Sequence, residues 1–173
     1  MDIQLNKAVQ IECSSDSGPM VLMPSSVATQ WPVDLDLILP TTRWVDTRTF
    51  SGSDFVFFSG EPTLFFWSNA FGADCRSSVV GVFWRWISAP RTFLPPDNLD
   101  LDELDSAQET VIFECRTEDL VFFDPIIPGS DLSSECFRVK LSIGRLEVKT
   151  LLYTPREGVK MVVHPILRCA GPN

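Results

Sequence analysis

A chain of 173 residues can fill one hydrophobic core and is short for two, so a single domain over residues 1–173 is expected. Hydrophobic residues make up 45% and charged residues 21%, a globular composition that excludes a disordered chain, and no apolar run approaches the roughly 20 residues of a membrane-spanning helix. The net charge of −9 opposes contact with polyanions, which argues against direct nucleic-acid binding.

The opening residues 1–7 carry neither a basic n-region nor an apolar h-region, so no export signal is expected and the cytoplasm is the expected location. Five cysteines, Cys13, Cys75, Cys115, Cys136 and Cys169, make an odd number without CxxC spacing. That pattern speaks against a zinc ribbon and a disulfide framework, and reduced thiols follow from it. Thirteen prolines spread along the chain fit short elements and many turns better than long helices.

In chain order, Gly18-Pro19 opens the apolar run Met20-Val21-Leu22-Met23, closed by Pro24, which suits a short strand. Ser25 or Ser26 then stands where an N-cap would start a turn or two of helix toward Trp31. Residues 34–40 alternate as a short edge strand or an irregular loop. Phe55-Val56-Phe57-Phe58 and Thr63-Leu64-Phe65-Phe66-Trp67 flank Ser59-Gly60-Glu61-Pro62, which reads as a hairpin or a tight bend. A polar, glycine-containing loop over 69–78 follows.

The run from Val79 to Ser88 holds ten mostly β-branched and aromatic residues with a single glycine and a single charge. As a strand it places Val80, Val82, Trp84 and Trp86 on one face, and Val79, Gly81, Phe83, Arg85 and Ile87 on the other. Both faces are apolar enough to be covered, so this is the expected central strand. Gly81 then admits a close neighbour, and Arg85 requires a partner, because an unpaired buried charge is costly.

Beyond Pro90 the pattern lapses. Leu101 and Leu104 stand three apart, which permits an acidic helical turn, but Pro95-Pro96 and the asparagine upstream equally permit a long connection. Strands resume over 110–115 and 119–124, then a turn over 125–130. In the last third Phe137, Val139 and Leu141 oppose Arg138 and Lys140. Leu146, Val148, Thr150 and Leu152 oppose Glu147 and Lys149, and Val159, Met161 and Val163 oppose Lys160. An antiparallel meander with one wet face is expected there. The fold class is therefore mostly β: antiparallel sheets, as a sandwich or a highly curved sheet, with one or two short helices.

Charge is unevenly spread. Residues 97–135 hold twelve acids and only Arg116 as a base, whereas 136–173 carry seven bases and two acids. Such an acidic stretch favours a basic protein partner through faster encounter and charge matching, while its bland role is solubility.

Catalytic signatures are absent. A nucleophilic triad would have to use His164, the single histidine, which sits in an apolar strand-like run and is expected to be structural. No phosphate-binding loop, dinucleotide fingerprint or H-E-x-x-H motif occurs. Asp100, Asp102 and Asp105 lack the spacing of a calcium loop. No catalytic residue, no metal site and no cofactor is assigned.

Several segments, taken in order, resemble one family, the immunity protein 21 family of bacterial polymorphic-toxin systems. They are Gly18-Pro19 with its aliphatic run and Trp31, Gly60-Glu61-Pro62, Arg85-Trp86, Phe122-Phe123-Asp124, and Gly144 through Tyr153-Thr154-Pro155. The likeness spans about nine-tenths of the chain. Departures from it are the lack of a glycine after Trp31, Leu146 in place of a tyrosine, and Pro90 in place of an acid.

What the resemblance implies is a cytosolic, non-enzymatic protein that binds a cognate toxin domain and blocks its working face. Such a toxin is expected to be basic, as nucleases are, since their own substrate is a polyanion. The expected toxin-facing residues, chosen on charge density alone, are Asp97, Asp100, Asp102, Glu103, Asp105 and Glu109. The alternative is a β-sandwich module for a glycan or small molecule, with a tryptophan platform drawn from Trp31, Trp44, Trp67, Trp84 and Trp86.

Overall fold

The computed structural model describes residues 2–15, 19–31, 49–51, 55–59, 63–70, 78–90, 92–104, 109–132 and 136–169. Within them lie strands β1 (Asp2–Ser15), β2 (Met20–Pro24), β3 (Thr49–Ser51), β4 (Val56–Phe58), β5 (Thr63–Ala70) and β6 (Val79–Ser88). The second half adds β7 (Asn98–Asp100), β8 (Glu109–Cys115), β9 (Asp119–Phe123), β10 (Cys136–Lys140), β11 (Gly144–Arg156) and β12 (Val159–Arg168). One short helix, α1 (Ser25–Ala28), and two 3-10 turns complete the described residues.

Two antiparallel sheets result. The larger has the strand order β7-β1-β5-β6-β12-β11-β8, and the smaller β10-β9-β2-β4-β3. Their facing sides share one core of Phe58, Phe65, Trp67, Phe83, Phe122 and Phe137 with aliphatic residues of β2, β8, β10 and β11. Phe83 lies at its centre, stacked on Phe122 at 4.4 Å and tilted against Trp67 at 4.5 Å. Ring pairs of this kind add about 0.5–1.5 kcal/mol each beyond the area they bury.

A second cluster, on the opposite face of the larger sheet, joins residues of β1, β5, β6, β7 and β12 to Phe93, Leu101, Leu104 and Tyr153. Leu99 of β7 and Tyr153 of β11 share it although their strands stand five places apart in the sheet. A flat sheet would hold them about 24 Å apart at ~4.8 Å per strand, so the sheet curls on itself. A third cluster, with Val21, Met23, Phe57 and Phe123, lies between the smaller sheet's outer face and α1 with the 125–132 turns.

The expected mostly-β antiparallel architecture is therefore what the chain adopts, with β6 fourth of seven strands and spanning Val79–Ser88 as expected. Trp84 is fully buried and Trp86 half-buried. One irregularity alters the expected faces. A register shift between Ile166 and Leu167 opposite Gly81 and Val79 sends Val79 to the second cluster and Val80 to the inter-sheet core.

Four further expectations are corrected. Of the two readings at 55–67, a hairpin or a tight bend, the hairpin is not formed: β4 pairs with β2 and β3, while β5 pairs with β1 and β6 in the other sheet, and the connecting residues 60–62 lie outside the described residues. The last third is not one meander, because β10 pairs with β9 in the smaller sheet and only β11 and β12 form a hairpin. Nor does β12 keep a wet face: residues 161–167 are all buried, since the curl covers the second side. At α1, Pro24 occupies the N-cap, and no serine side chain caps the helix. Residues 34–40 lie outside the described residues.

Gly81 fulfils its expected role. A Cβ built there would fall within the van der Waals shell of the Trp67 ring and meet the Ser68 carbonyl at 3.0 Å. Trp67 is itself almost fully buried and donates its indole N–H to Asn69 Oδ1 at 2.9 Å, so the ring has little room to retreat. Gly81→Ala should therefore destabilise the protein by about 1–3 kcal/mol, the usual cost of overpacking a filled core. Urea unfolding measures this, and an unchanged midpoint would mean that the Trp67 ring gives way freely.

Candidate functional site

The acidic connection does not run loose over the surface. Residues 98–100 form edge strand β7, which pairs with β1 through Ile3 opposite Leu99, and Leu101–Glu103 form a 3-10 turn. The Asp100 carboxylate caps that turn by accepting the Asp102 N–H at 2.9 Å, which fixes its orientation. Leu101 and Leu104 face inward against the second cluster. Two leucines three apart thus anchor the segment and leave its carboxylates outside.

Between this segment and the far end of β11 lies a cleft of about 250 Å³. Asp100 and Glu103 stand on one side and Tyr153 on the other, with Leu99, Leu104 and Leu152 contributing apolar surface. Tyr153 is half-buried, its ring edge-on to Trp84 at 5.6 Å, and burial pushes its phenol above the usual tyrosine range. Its hydroxyl makes no hydrogen bond to another described residue. A space this size falls below the roughly 300–1,000 Å³ of pockets for drug-sized ligands.

The six acids singled out by charge density are therefore divided. Asp100 and Glu103 line one cleft, and Asp97 and Asp102 are exposed beside them in sequence. Glu109 opens β8, half-buried and in register with Thr150, and Asp105 lies outside the described residues. Charge density missed the opposite wall. Tyr153, the single tyrosine, entered the sequence reading only as part of a turn pattern, although β11 continues through it to Arg156.

The other polar cluster is internal. Arg85, buried beside Phe83, donates from Nη1 to the Ser59 carbonyl, and its guanidinium carbon lies 5.3 Å from the centre of the Phe65 ring. That placement makes it a core residue. His164 sits across from Phe83 in register, edge-on to Phe58, with Nδ1 3.2 Å from Thr150 Oγ1. Its Nε2 has no partner among the described residues. Burial first, and the Arg85 charge second, hold its pKa down to about 3. The imidazole is thus neutral at physiological pH, and its setting is the structural one the sequence suggested.

Among the described residues, no group of three or more His, Cys, Asp or Glu is placed to hold a metal ion, and no helix is long and apolar enough to cross a membrane. Cys115, Cys136 and Cys169 are free thiols, and burial raises the first two above the ordinary cysteine range. Trp44 lies outside the described residues, and none of the other four tryptophans is exposed. Trp31 is spent on the third cluster, donating its indole N–H to the Pro125 carbonyl at 2.9 Å.

The class defined by this geometry is an antiparallel two-sheet protein whose larger sheet curls to leave an acidic cleft between β7 and β11. No family model, no curated protein and no solved structure matches the chain.

Proposed function

We propose that this protein is an immunity protein: it binds a basic cognate toxin domain and blocks its working face, without catalysis of its own. The observation that carries the reading is the coincidence of two features. The most acidic stretch of the chain is held in place by Leu101 and Leu104, and it lines the cleft with Asp100 and Glu103. A rigid acidic edge suits a partner whose groove is basic, because fixed charges need no ordering on encounter. The ordered resemblance to immunity protein 21 supplies the biological setting, and a nuclease domain is the toxin such an edge would match. The glycan-module reading draws no support from Trp67 and Trp84, which are buried, or from Trp31 and Trp86, which are half-buried, and Trp44 lies outside the described residues.

The test is protection and binding by the parent protein against the toxin domain encoded beside it, followed by association kinetics at two ionic strengths. Asp100→Asn, Asp102→Asn and Glu103→Gln combined should slow association about tenfold at low salt and flatten its salt dependence, since long-range attraction is screened beyond about 10 Å at 0.1 M. A parent protein that neither binds nor protects would overturn the reading.

A further inference from the structure

We infer that the two sheets part along the seam that holds His164, in an opening short of global unfolding, and that protonation of this imidazole drives the opening. The way the cores are distributed permits such a step. Each sheet keeps a hydrophobic cluster on its far side: Phe66, Val82, Trp84 and Met161 behind the larger, and Val21, Met23, Phe57 and Phe123 behind the smaller. Of the three clusters, the one around Phe58, Phe83 and Phe122 belongs to both sheets. Parting the sheets therefore dissolves that shared core and leaves the other two in place. The smaller sheet is the part that yields, since its strands run three to five residues against ten for β6 and β12.

His164 stands on the shared face. β12 carries it opposite Phe83, Thr150 Oγ1 of β11 lies 3.2 Å from Nδ1, and Phe58 of the smaller sheet meets the ring edge-on at 4.9 Å. The imidazole is fully buried, and Nε2 has no hydrogen-bond partner among the described residues. Arg85 of β6 crosses the same seam to donate to the Ser59 carbonyl just after β4. From β6 the charge that bears on His164 is the Arg85 cation, while β11 and β4 face it with Thr150 and Phe58, which do not titrate. No carboxylate bears on it among the described residues. An added proton thus meets a like charge, no water and no acceptor at Nε2. Parting the sheets admits water to the ring and relieves all three.

Native-state hydrogen exchange of the full chain, followed by NMR at low urea concentrations from about pH 7 to about pH 5, tests the inference. Amides of β2 and β9, inside the smaller sheet, should exchange through an opening of lower free energy and weaker urea dependence than amides of β5 and β6, which wait for global unfolding. After correction for intrinsic exchange rates, the population of that opening should rise about tenfold per pH unit below 6.5. In His164→Gln it should stay flat over the same range. In the parent alone, an onset near 6.5 identifies the imidazole, because carboxylates begin to bind protons nearer about pH 4, so the test stands even where the variant does not fold. One shared free energy and urea dependence for β2, β9, β5 and β6 would overturn the inference. So would an onset delayed to the carboxylate range, or the same rise in a folded His164→Gln.

Discussion

Trp84→Ala is expected to lower the free energy of unfolding by about 3–5 kcal/mol, the range for removing a large aromatic from a filled core. Trp84 is fully buried on the concave face of β6, edge-on to Tyr153, and donates its indole N–H to Ser68 Oγ at 3.2 Å. The substitution therefore opens a cavity and strips a buried hydroxyl of its donor, two separate costs. Ordinary domains have about 5–15 kcal/mol to lose, so the variant should unfold at a much lower urea concentration with a similar slope. Trp86→Ala, two residues along the same face but half-buried, should cost distinctly less. Equal losses for the two, or a loss under about 1 kcal/mol for Trp84→Ala, would contradict the placement of β6 at the centre of the sheet.

That centre was readable from the sequence because β6 satisfies the simplest rule: ten residues with both faces apolar can only be a covered strand. The strands that went unread have physical reasons for hiding. In β1 the alternation of Ile3 and Leu5 is broken by an irregularity between Asn6 and Ile11, so no single period runs through Asp2–Ser15. At three residues, β7 is too short to display a period, and it forms because Leu99 is buried beneath the curl. Which sheet a strand joins was illegible for a different reason. The pattern of β10, with Phe137 and Val139 buried and Arg138 and Lys140 exposed, is the same whichever neighbour it takes.

The candidate site divides the same way. Its carboxylates stand out as local charge density, and Asp100 and Glu103 do line the cleft. The rest of the wall comes from Leu152 and Tyr153, some fifty residues away, brought across by curvature. Curvature depends on how two faces of the larger sheet are buried at once, and a period-two pattern records only which residues are apolar. Tyr153 is legible only after the fold is known.

Acid should destabilise this protein through His164, and replacing that residue should remove the effect. The imidazole is enclosed by Phe83 and Arg85 of β6, Thr150 of β11 and Phe58 of β4, with a partner at Nδ1 alone among the described residues. Burial disfavours the charged imidazolium, and protonation would also place a second cation beside Arg85, so its pKa falls to about 3. In the unfolded chain the same group titrates near its ordinary value of 6.5. Between those values the unfolded state binds a proton that the folded state refuses, so stability rises with pH across that window. The contribution is fully present above pH 6.5 and drains away as pH falls toward 3, at about 1.4 kcal/mol per unit. His164→Gln keeps a hydrogen-bonding group near Thr150 but cannot titrate. It should be less stable than the parent at neutral pH, because the core is packed around the ring. Between pH 7 and pH 4 the parent should lose roughly 3 kcal/mol more than the variant, whatever their shared carboxylates contribute. Unfolding free energies measured in urea at half-unit steps give the difference directly. Parallel curves for the two proteins would mean that the imidazole reaches solvent in the folded state, and would remove His164 from the buried core.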